Sequence, residues 1–284
     1  MSTPPGRFVL PFAPLEGDDE EMERLKAKIH RDRGFNCHFY KDKCLRRRIA
    51  VRMRARGVTS FQGYAALLDH DPAEYDILLD TLTINVTKFF RNAEVWKAVD
   101  ETVLPRLFER RGVQHRLWSA GSASGEEAYT LSILLHQWAE RHGRTSELGR
   151  FHIVGTDIDR QSLEAARRAE YPELSMQETP EAVKERWFSP GPPFRLRDEA
   201  KRNVTFVRRD LISEPAPQGQ SLIVCRNVVI YFDREIQERL FHGFYEALVP
   251  GGFLVLGKVE TLIGPARALF RSLNNRERIF QKPE

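Results

Sequence analysis

Between residue 21 and about residue 80, apolar positions recur every three to four residues, and no stretch alternates as a strand does. Segments at 21–32, 41–56, 60–69 and 72–82 each carry such a stripe, as with Leu45, Ile49 and Met53, and they predict four helices. Gly34, Gly57 and Pro72 punctuate them. After residue 92 the pattern changes to short apolar runs at 116–119, 151–156, 204–208, 222–225 and 253–257. Helical patterns at 93–110, 125–141, 160–169 and 234–248 lie between or before these runs, which is how a doubly wound parallel sheet covered on both faces reads in sequence. Two last strand-like pieces, 269–273 and 277–281, are close enough to pair through Asn274-Asn275 as an antiparallel edge. Residues 171–203 break the alternation: Pro172, Pro180, Pro190, Pro192 and Pro193 surround Trp187 and Phe188, so this stretch reads as a small insertion. The expected organisation is a flexible tail at 1–20, rich in proline and ending in acid, then a helical domain at 21–82, a linker at 83–92 and an α/β domain at 93–284.

At 284 residues, with 41% hydrophobic and 30% charged positions, the chain has ample core for this division. A formal net charge of +4 and a pI near 9.0 admit either a nucleic acid or an acidic protein surface as partner and do not choose between them. Cys37, Cys44 and Cys225 match neither a disulfide framework nor a zinc site, which points to a reducing cytoplasm and to no metal. No apolar run is long enough to span a membrane, and Pro11 and Pro14 interrupt the one N-terminal run that resembles a signal core. A soluble, cytoplasmic protein is expected.

Four stretches carry candidate chemistry. Thr81 to Arg91 interleaves Asn85, Thr87 and Arg91 with the core-type residues Ile84, Val86, Phe89 and Phe90, so a carboxamide, a hydroxyl and a guanidinium project from an anchored segment. Trp118 to Gly125 follows a strand and opens into a helix starting Glu126-Glu127. Its glycines, Gly121 and Gly125, permit close backbone approach to a ligand, and the helix start offers N–H groups to a carboxylate or phosphate. Two acids in a first turn also suit the helix dipole without any ligand. Gly155 to Asp159 places Asp157 at a strand's carboxyl edge, the usual seat of a ribose diol. The chain lacks G-x-G-x-x-G, and Asp157 lies further along than a dinucleotide fingerprint allows, so an adenosyl ligand without a pyrophosphate fits better than a nicotinamide. Cys225 to Asp233 ends a third strand in Arg226-Asn227 and then presents Tyr231. All three edges face one crevice if the sheet is doubly wound.

Together these four stretches, in this order, resemble the CheR-type chemotaxis receptor glutamate methyltransferases. The likeness also takes in Phe39-Tyr40-Lys41 and Leu45-Arg-Arg-Arg48 and covers nearly everything after residue 22. The resemblance implies a class I S-adenosylmethionine-dependent methyltransferase sheet, a small N-terminal helical domain and an inserted β-subdomain at about 171–203. It implies methyl transfer from S-adenosylmethionine to receptor glutamates. It places Asn85, Thr87 and Arg91 around the cofactor, Arg91 also near the reacting carboxylate, and Gly121 in the cofactor-binding turn. Glu127 falls at a contact to the methionine part, Asp157 at the ribose, Asp210 and Leu211 at the adenine, Asn227 and Val228 at the methionyl portion, and Tyr231 beside the transferring methyl. Arg46, Arg47, Arg48, Arg52, Arg54 and Arg56 form a basic helix corresponding to the family's receptor-docking face, with a solvated face or an RNA patch as alternatives. Interleaved aromatics of an RNA module are missing there. The family's Cys-Ser-Thr-Gly-Glu-Glu-Pro turn is Ser122-Ala-Ser-Gly-Glu-Glu-Ala128 here, and Gly257-Lys-Val-Glu260 replaces a small-polar-Ser-Glu pattern. The short, proline-rich loop between Phe188 and Phe194 implies receptor recognition without a C-terminal pentapeptide. A monomer suffices. A non-catalytic adaptor on the same fold and a nucleic-acid methyltransferase are the competing readings, and the latter lacks its base-gripping element at the third strand edge.

Overall fold

The structure, a computed structural model, describes residues 19–83 and 87–284. The proposed tail, apart from its last residues, and the candidate residues Ile84, Asn85 and Val86 lie outside the described residues. Two compact units divide between residues 84 and 85.

The first unit contains helices α1 (Asp19–Arg33), α2 (Asp42–Ala55), α3 (Phe61–His70) and α4 (Pro72–Leu82), each within two residues of its predicted bounds. The local signals explain why they start where they do. The Ser60 hydroxyl accepts from Gly63 N at 3.1 Å, Asp71 accepts from Glu74 N at 3.1 Å, and Pro72 occupies the first turn of α4, where no N–H is missed. Met22, Leu25, Ile29, Leu45, Ile49, Met53, Tyr64 and Leu78 are fully buried, which is the predicted stripe of each helix turned inward.

The arginines of α2 do not form one basic face. Arg52 grips Glu74, whose side chain is 0% exposed, with Nε at 2.9 Å and Nη2 at 2.6 Å, and Tyr64 donates to the same carboxylate. Arg48 is buried and donates to the Leu82 carbonyl. Arg46 pairs with Asp19 and Asp42, and Arg56 with Asp71. The docking expectation is corrected accordingly: Arg48 and Arg52 hold the helices together, because a buried Glu74 and a helix C-terminal carbonyl demand donors. Arg47 and Arg54 are exposed.

The second unit begins with α5 (Ala93–Ala98) and α6 (Leu104–Glu109), then β1 (His115–Ala120), α7 (Glu126–Arg141), β2 (Phe151–Asp157) and α8 (Arg160–Arg168). It continues through β3 (Glu170–Tyr171), α9 (Glu181–Trp187), β4 (Phe194–Arg195), α10 (Asp198–Lys201), β5 (Val204–Arg208) and β6 (Gln220–Cys225), and ends with α11 (Arg234–Ala247), β7 (Leu248–Leu256), α12 (Ala266–Leu269), β8 (Arg271–Asn274) and β9 (Ile279–Gln281). Among the described residues, seven strands form one sheet in the order β5-β2-β1-β6-β7-β9-β8. The first five are parallel, β9 runs antiparallel to β7, and β8 runs antiparallel to β9, as predicted. Strand order reverses between β1 and β6, and it is outside the carboxyl ends of these strands that such a sheet binds ligands.

One element differs from expectation. The helix predicted over 93–110 is interrupted by a π-helical segment at Val99–Val103, just before Pro105, whose missing N–H breaks the regular ladder. The insertion carries the expected small antiparallel sheet together with short helices. Its only strands among the described residues are the two-residue pair β3–β4, extended by a bridge between Phe188 and Leu196. Tyr171, Met176, Val183, Trp187 and Phe188 join the main hydrophobic core, so the proline-rich stretch is packed onto the domain.

Candidate active site

β1 delivers the chain at its carboxyl end into a tight turn. Gly121 has φ +78°, and a Cβ there would lie 2.5 Å from the Val228 side chain, so only glycine lets the turn pass beneath the loop after β6. Gly125, at φ +92°, leads directly into α7. The turn's amides are largely spent inside the protein. Gly121 and Ser122 donate to the Thr156 carbonyl at 2.9 and 2.8 Å, Gly125 donates to Ser122 O at 3.0 Å, and Ala123 donates to Asp157 Oδ2 at 2.8 Å. The expected offer of amides to an anionic group is therefore reduced, which agrees with a ligand that has no pyrophosphate.

Asp157 fastens β2 to this turn and also accepts from Asp159 N through Oδ1 at 3.0 Å. Burial pushes its carboxyl above the ordinary range, against the backbone N–H groups that stabilise the anion. Glu126 and Glu127 are both buried. Glu126 accepts from Ser124 and Ser175 hydroxyls at 2.7 and 3.0 Å and stays inside the fold. Glu127 accepts from Ser119 Oγ at 2.9 Å and faces Arg226 across 3.6 Å. Its carboxyl is pushed up to about 7, first by burial, with Arg226 and Ser119 pulling the other way and Glu260 adding to the rise.

The Thr87 to Arg91 segment is pinned beside α7. Phe89 N donates to Ser175 O at 3.0 Å and Phe90 N to Thr130 Oγ1 at 3.1 Å, while the Phe89 ring meets Tyr171 and Phe188 edge-on at 4.7 and 4.9 Å. Phe90 and Asn92 hold left-handed φ values of 53° and 59°, a conformation that costs a bulky residue energy and marks a segment shaped for a purpose. Arg226 ties this segment to the β6 edge. It is 6% exposed, donates from Nη2 to Arg91 O at 2.7 Å and to Asn92 Oδ1 at 3.1 Å, and lies over the Trp96 ring at 5.0 Å.

Past Arg226, Asn227 turns with φ +60°, and Glu260 holds the loop. Glu260 is 3% exposed; its Oε2 accepts from Gly257 N at 2.7 Å and Asn227 N at 2.9 Å, and its Oε1 accepts from Val228 N and Val229 N, both at 2.9 Å. Four amides from the ends of β6 and β7 thus converge on one carboxylate. Lys258, whose role the sequence left without an account, donates to Glu94 at 3.0 Å at the start of α5.

The structure therefore brings Arg91, Gly121, Glu127, Asp157, Asn227 and Val228 to adjoining strand edges and loops. Half-buried Tyr231 follows in the turn leading to α11, its N donating to Val228 O at 3.2 Å. Asp210 and Leu211 follow β5, where the Asp210 carboxylate folds back onto Ile212 N at 2.9 Å and Ser213 Oγ at 2.6 Å. Arg226 and Glu260 are site residues whose roles sequence reasoning missed. The signal for Arg226 was a charged residue directly after a continuous apolar strand, and for Glu260 a carboxylate in the loop four residues after another. The residues fit an adenosyl ligand. The Asn227 Oδ1 and Ser122 Oγ atoms are buried without a hydrogen-bond partner among the described residues, and the Gly121 turn closes over Val228 with no room for a side chain.

Residues 85–279 match the CheR methyltransferase SAM-binding domain, and residues 20–83 match the CheR all-alpha domain. The chain belongs to the CheR methyltransferase family. It is a SAM-dependent methyltransferase with the class I sheet described above. The chemotaxis protein methyltransferase of Listeria monocytogenes is 32% identical over 87% of this chain and 92% of its own length. Chemotaxis protein methyltransferase 2 of Pseudomonas aeruginosa is 29% identical over 86% of this chain and 87% of that protein. An uncharacterized 104.1 kDa protein of Rhodobacter capsulatus is 36% identical over 85% of this chain, which spans only 25% of that protein. Among solved structures, a TehB-like SAM-dependent methyltransferase from Corynebacterium glutamicum aligns with a TM-score of 0.36 and 11% identity, over 67% of this chain and 94% of that one. Among the described residues, no helix is long and apolar enough to cross a membrane, and no group of three or more His, Cys, Asp or Glu side chains is placed to hold a metal.

Proposed function

We propose that this chain transfers a methyl group from S-adenosylmethionine to glutamate side chains of chemotaxis receptors, giving glutamate methyl esters and S-adenosylhomocysteine. The observation that carries this reading is the coincidence of the CheR family match with a strand-edge site that holds buried, unpartnered acceptors. S-adenosylmethionine supplies a methyl group activated by its sulfonium. A glutamate, with an ordinary pKa near 4.3, is already an anion at neutral pH and requires no base to attack that methyl. One carboxylate oxygen forms the new O–C bond as the C–S bond breaks with its electrons on sulfur, and no proton moves. The chain's task is alignment and exclusion of water.

In this reading Arg91 orients the incoming carboxylate by charge-assisted hydrogen bonds, and Tyr231 lines the path of the methyl. Glu127 receives the cationic amino end of the cofactor, Asp157 the ribose hydroxyls, Asp210 and Leu211 the adenine, and Asn227 and Val228 the methionyl portion. Thr87 and Asn85 complete the cofactor's surroundings from the linker at 83–92. Arg226 and Glu260 position the backbone that presents these groups.

The exposed Arg47 and Arg54, with Arg46 and Arg56 beside them, dock the acidic surface of the receptor. Strands β3 and β4 offer only two residues each for strand addition, which supports recognition independent of a C-terminal pentapeptide. The enzyme acts as a cytoplasmic monomer. The test is transfer of labelled methyl to a chemoreceptor signalling domain, read as methanol released by alkali. Label that survives alkali would exclude carboxyl esters.

A further inference from the structure

Beyond the cofactor site, the second unit holds a cavity of about 690 Å³ between the loop after β7, the start of α11 and the β8–β9 hairpin. This volume is in the range of ligand-binding clefts. Leu262, Phe270 and Phe280 give it apolar walls, and Arg234, Arg267 and Arg278 line it with three positive charges and no carboxylate. Arg234 is partly neutralised, since its Nε donates to Glu238 at 3.0 Å. Arg267 and Arg278 make no ion pair among the described residues. Arg278 also holds a left-handed φ of 56°, and its Nε is buried with no acceptor. Arg278 Nη1 donates to Asn275 Oδ1 at 3.4 Å, while the buried Nε is a donor that an acceptor arriving from outside would satisfy.

The cavity is continuous with the reaction site along the chain. Thr261, on its wall, follows Glu260, whose carboxylate holds the amides of Asn227 to Val229. Arg234 stands three residues after Tyr231. Cavity-lining residues thus lie within three residues of site residues at two points of the chain. We infer that the Arg234–Arg267–Arg278 cavity is a substrate subsite that receives an acidic segment flanking the methylated glutamate. The spaced guanidinium groups match carboxylates along a chain, and the apolar walls match the aliphatic stems between them.

This inference rests on the function proposed above, and one experiment separates the two. The probe is a chemoreceptor signalling-domain fragment from the same bacterium, methylated by wild type and by an Arg267→Glu/Arg278→Gln double variant. The expected result is a KM for the fragment raised about tenfold and a weaker dependence of KM on salt, with kcat and the affinity for S-adenosylhomocysteine within about twofold of wild type. An Arg267→Lys/Arg278→Lys variant should restore most of the affinity, which a folding defect would not allow. An unchanged KM overturns the inference, as does a parallel loss of cofactor affinity. Arginine-dependent binding of ATP or inorganic phosphate with no effect on KM would show a small-anion site instead and also overturn it. If wild type transfers no methyl to the fragment, the proposed function fails and the subsite with it. Transfer with an unaltered KM in the variant removes the subsite alone.

Discussion

Replacing Glu260 by glutamine keeps the size of the side chain and removes half of its acceptor capacity. In the wild-type fold, Oε2 serves Gly257 N and Asn227 N while Oε1 serves Val228 N and Val229 N, all within 2.9 Å. Whichever oxygen becomes the amide NH₂, two backbone N–H groups lose their acceptor and face a donor. A hydrogen bond to a charged group contributes about 1.5–3 kcal/mol, so the substitution removes about 3–6 kcal/mol from the loop that carries Asn227 and Val228. Taken at the lower end, and at about 2–4 °C per kcal/mol for a domain of this size, Glu260→Gln should lower the melting temperature by about 6–12 °C. Because the lost bonds are local to the proposed methionyl contacts, the Kd for S-adenosylhomocysteine measured by calorimetry should rise at least about tenfold, equivalent to about 1.4 kcal/mol of the loss. Leu135→Ala, a core truncation in α7, provides the comparison: it should lower the melting temperature by a similar amount and leave the Kd nearly unchanged. A Glu260→Gln variant that is destabilised yet binds S-adenosylhomocysteine as wild type does would refute the positioning role.

Arg91→Ala should leave a folded protein, because Arg226 bonds the Arg91 carbonyl and not its side chain, while methyl transfer falls by roughly a few tens-fold; normal turnover would remove Arg91 from the mechanism. Burial raises the Glu127 carboxyl to about 7, so without ligand it is protonated below that pH and ionised above it. A cationic amino group binds only the ionised form well, so affinity for S-adenosylhomocysteine should rise as pH increases from about 6 to about 8, and Glu127→Gln should flatten that rise; an unaltered pH profile would contradict the assigned contact. Arg52→Ala strands the buried Glu74 and should destabilise the helical unit by about 3–5 kcal/mol in denaturant unfolding. Arg47→Ala/Arg54→Ala should leave stability within about 0.5 kcal/mol and raise the KM for receptor; the reverse pattern would dismiss the division of labour on α2.

Periodicity carried the fold a long way, since strands such as β6 and β7 show continuous apolar runs and helices such as α3 and α4 start at a side-chain cap. The π-helical segment at Val99–Val103 escaped because a proline two residues past it looks, in sequence, like any tolerated proline near a helix start. The packing of the insertion escaped because five prolines hide which apolar residues reach the core, and Trp187 and Phe188 are as compatible with a separate lobe as with the main cluster. In the candidate site, the placement of Gly121, Glu127, Asp157 and Tyr231 at or after strand ends was legible from the order of strands, turns and helices. Arg226 and Glu260 were not, since their work depends on partners 135 and 33 residues away in the chain. The arginines of α2 show the same limit from the other side. Six charges on one helix look alike until the fold reveals that Glu74 and the Leu82 carbonyl take two of them inward.

The central claim is transfer of a methyl group to carboxylates of a chemotaxis receptor. Wild-type protein incubated with methyl-labelled S-adenosylmethionine and a chemoreceptor signalling domain from the same bacterium should place label on the receptor that alkali releases as methanol, and changing the modified glutamates to alanine should abolish it. Tight binding of S-adenosylhomocysteine with no alkali-labile label on any receptor of that bacterium would contradict the account and favour an adaptor that has kept the fold without the reaction.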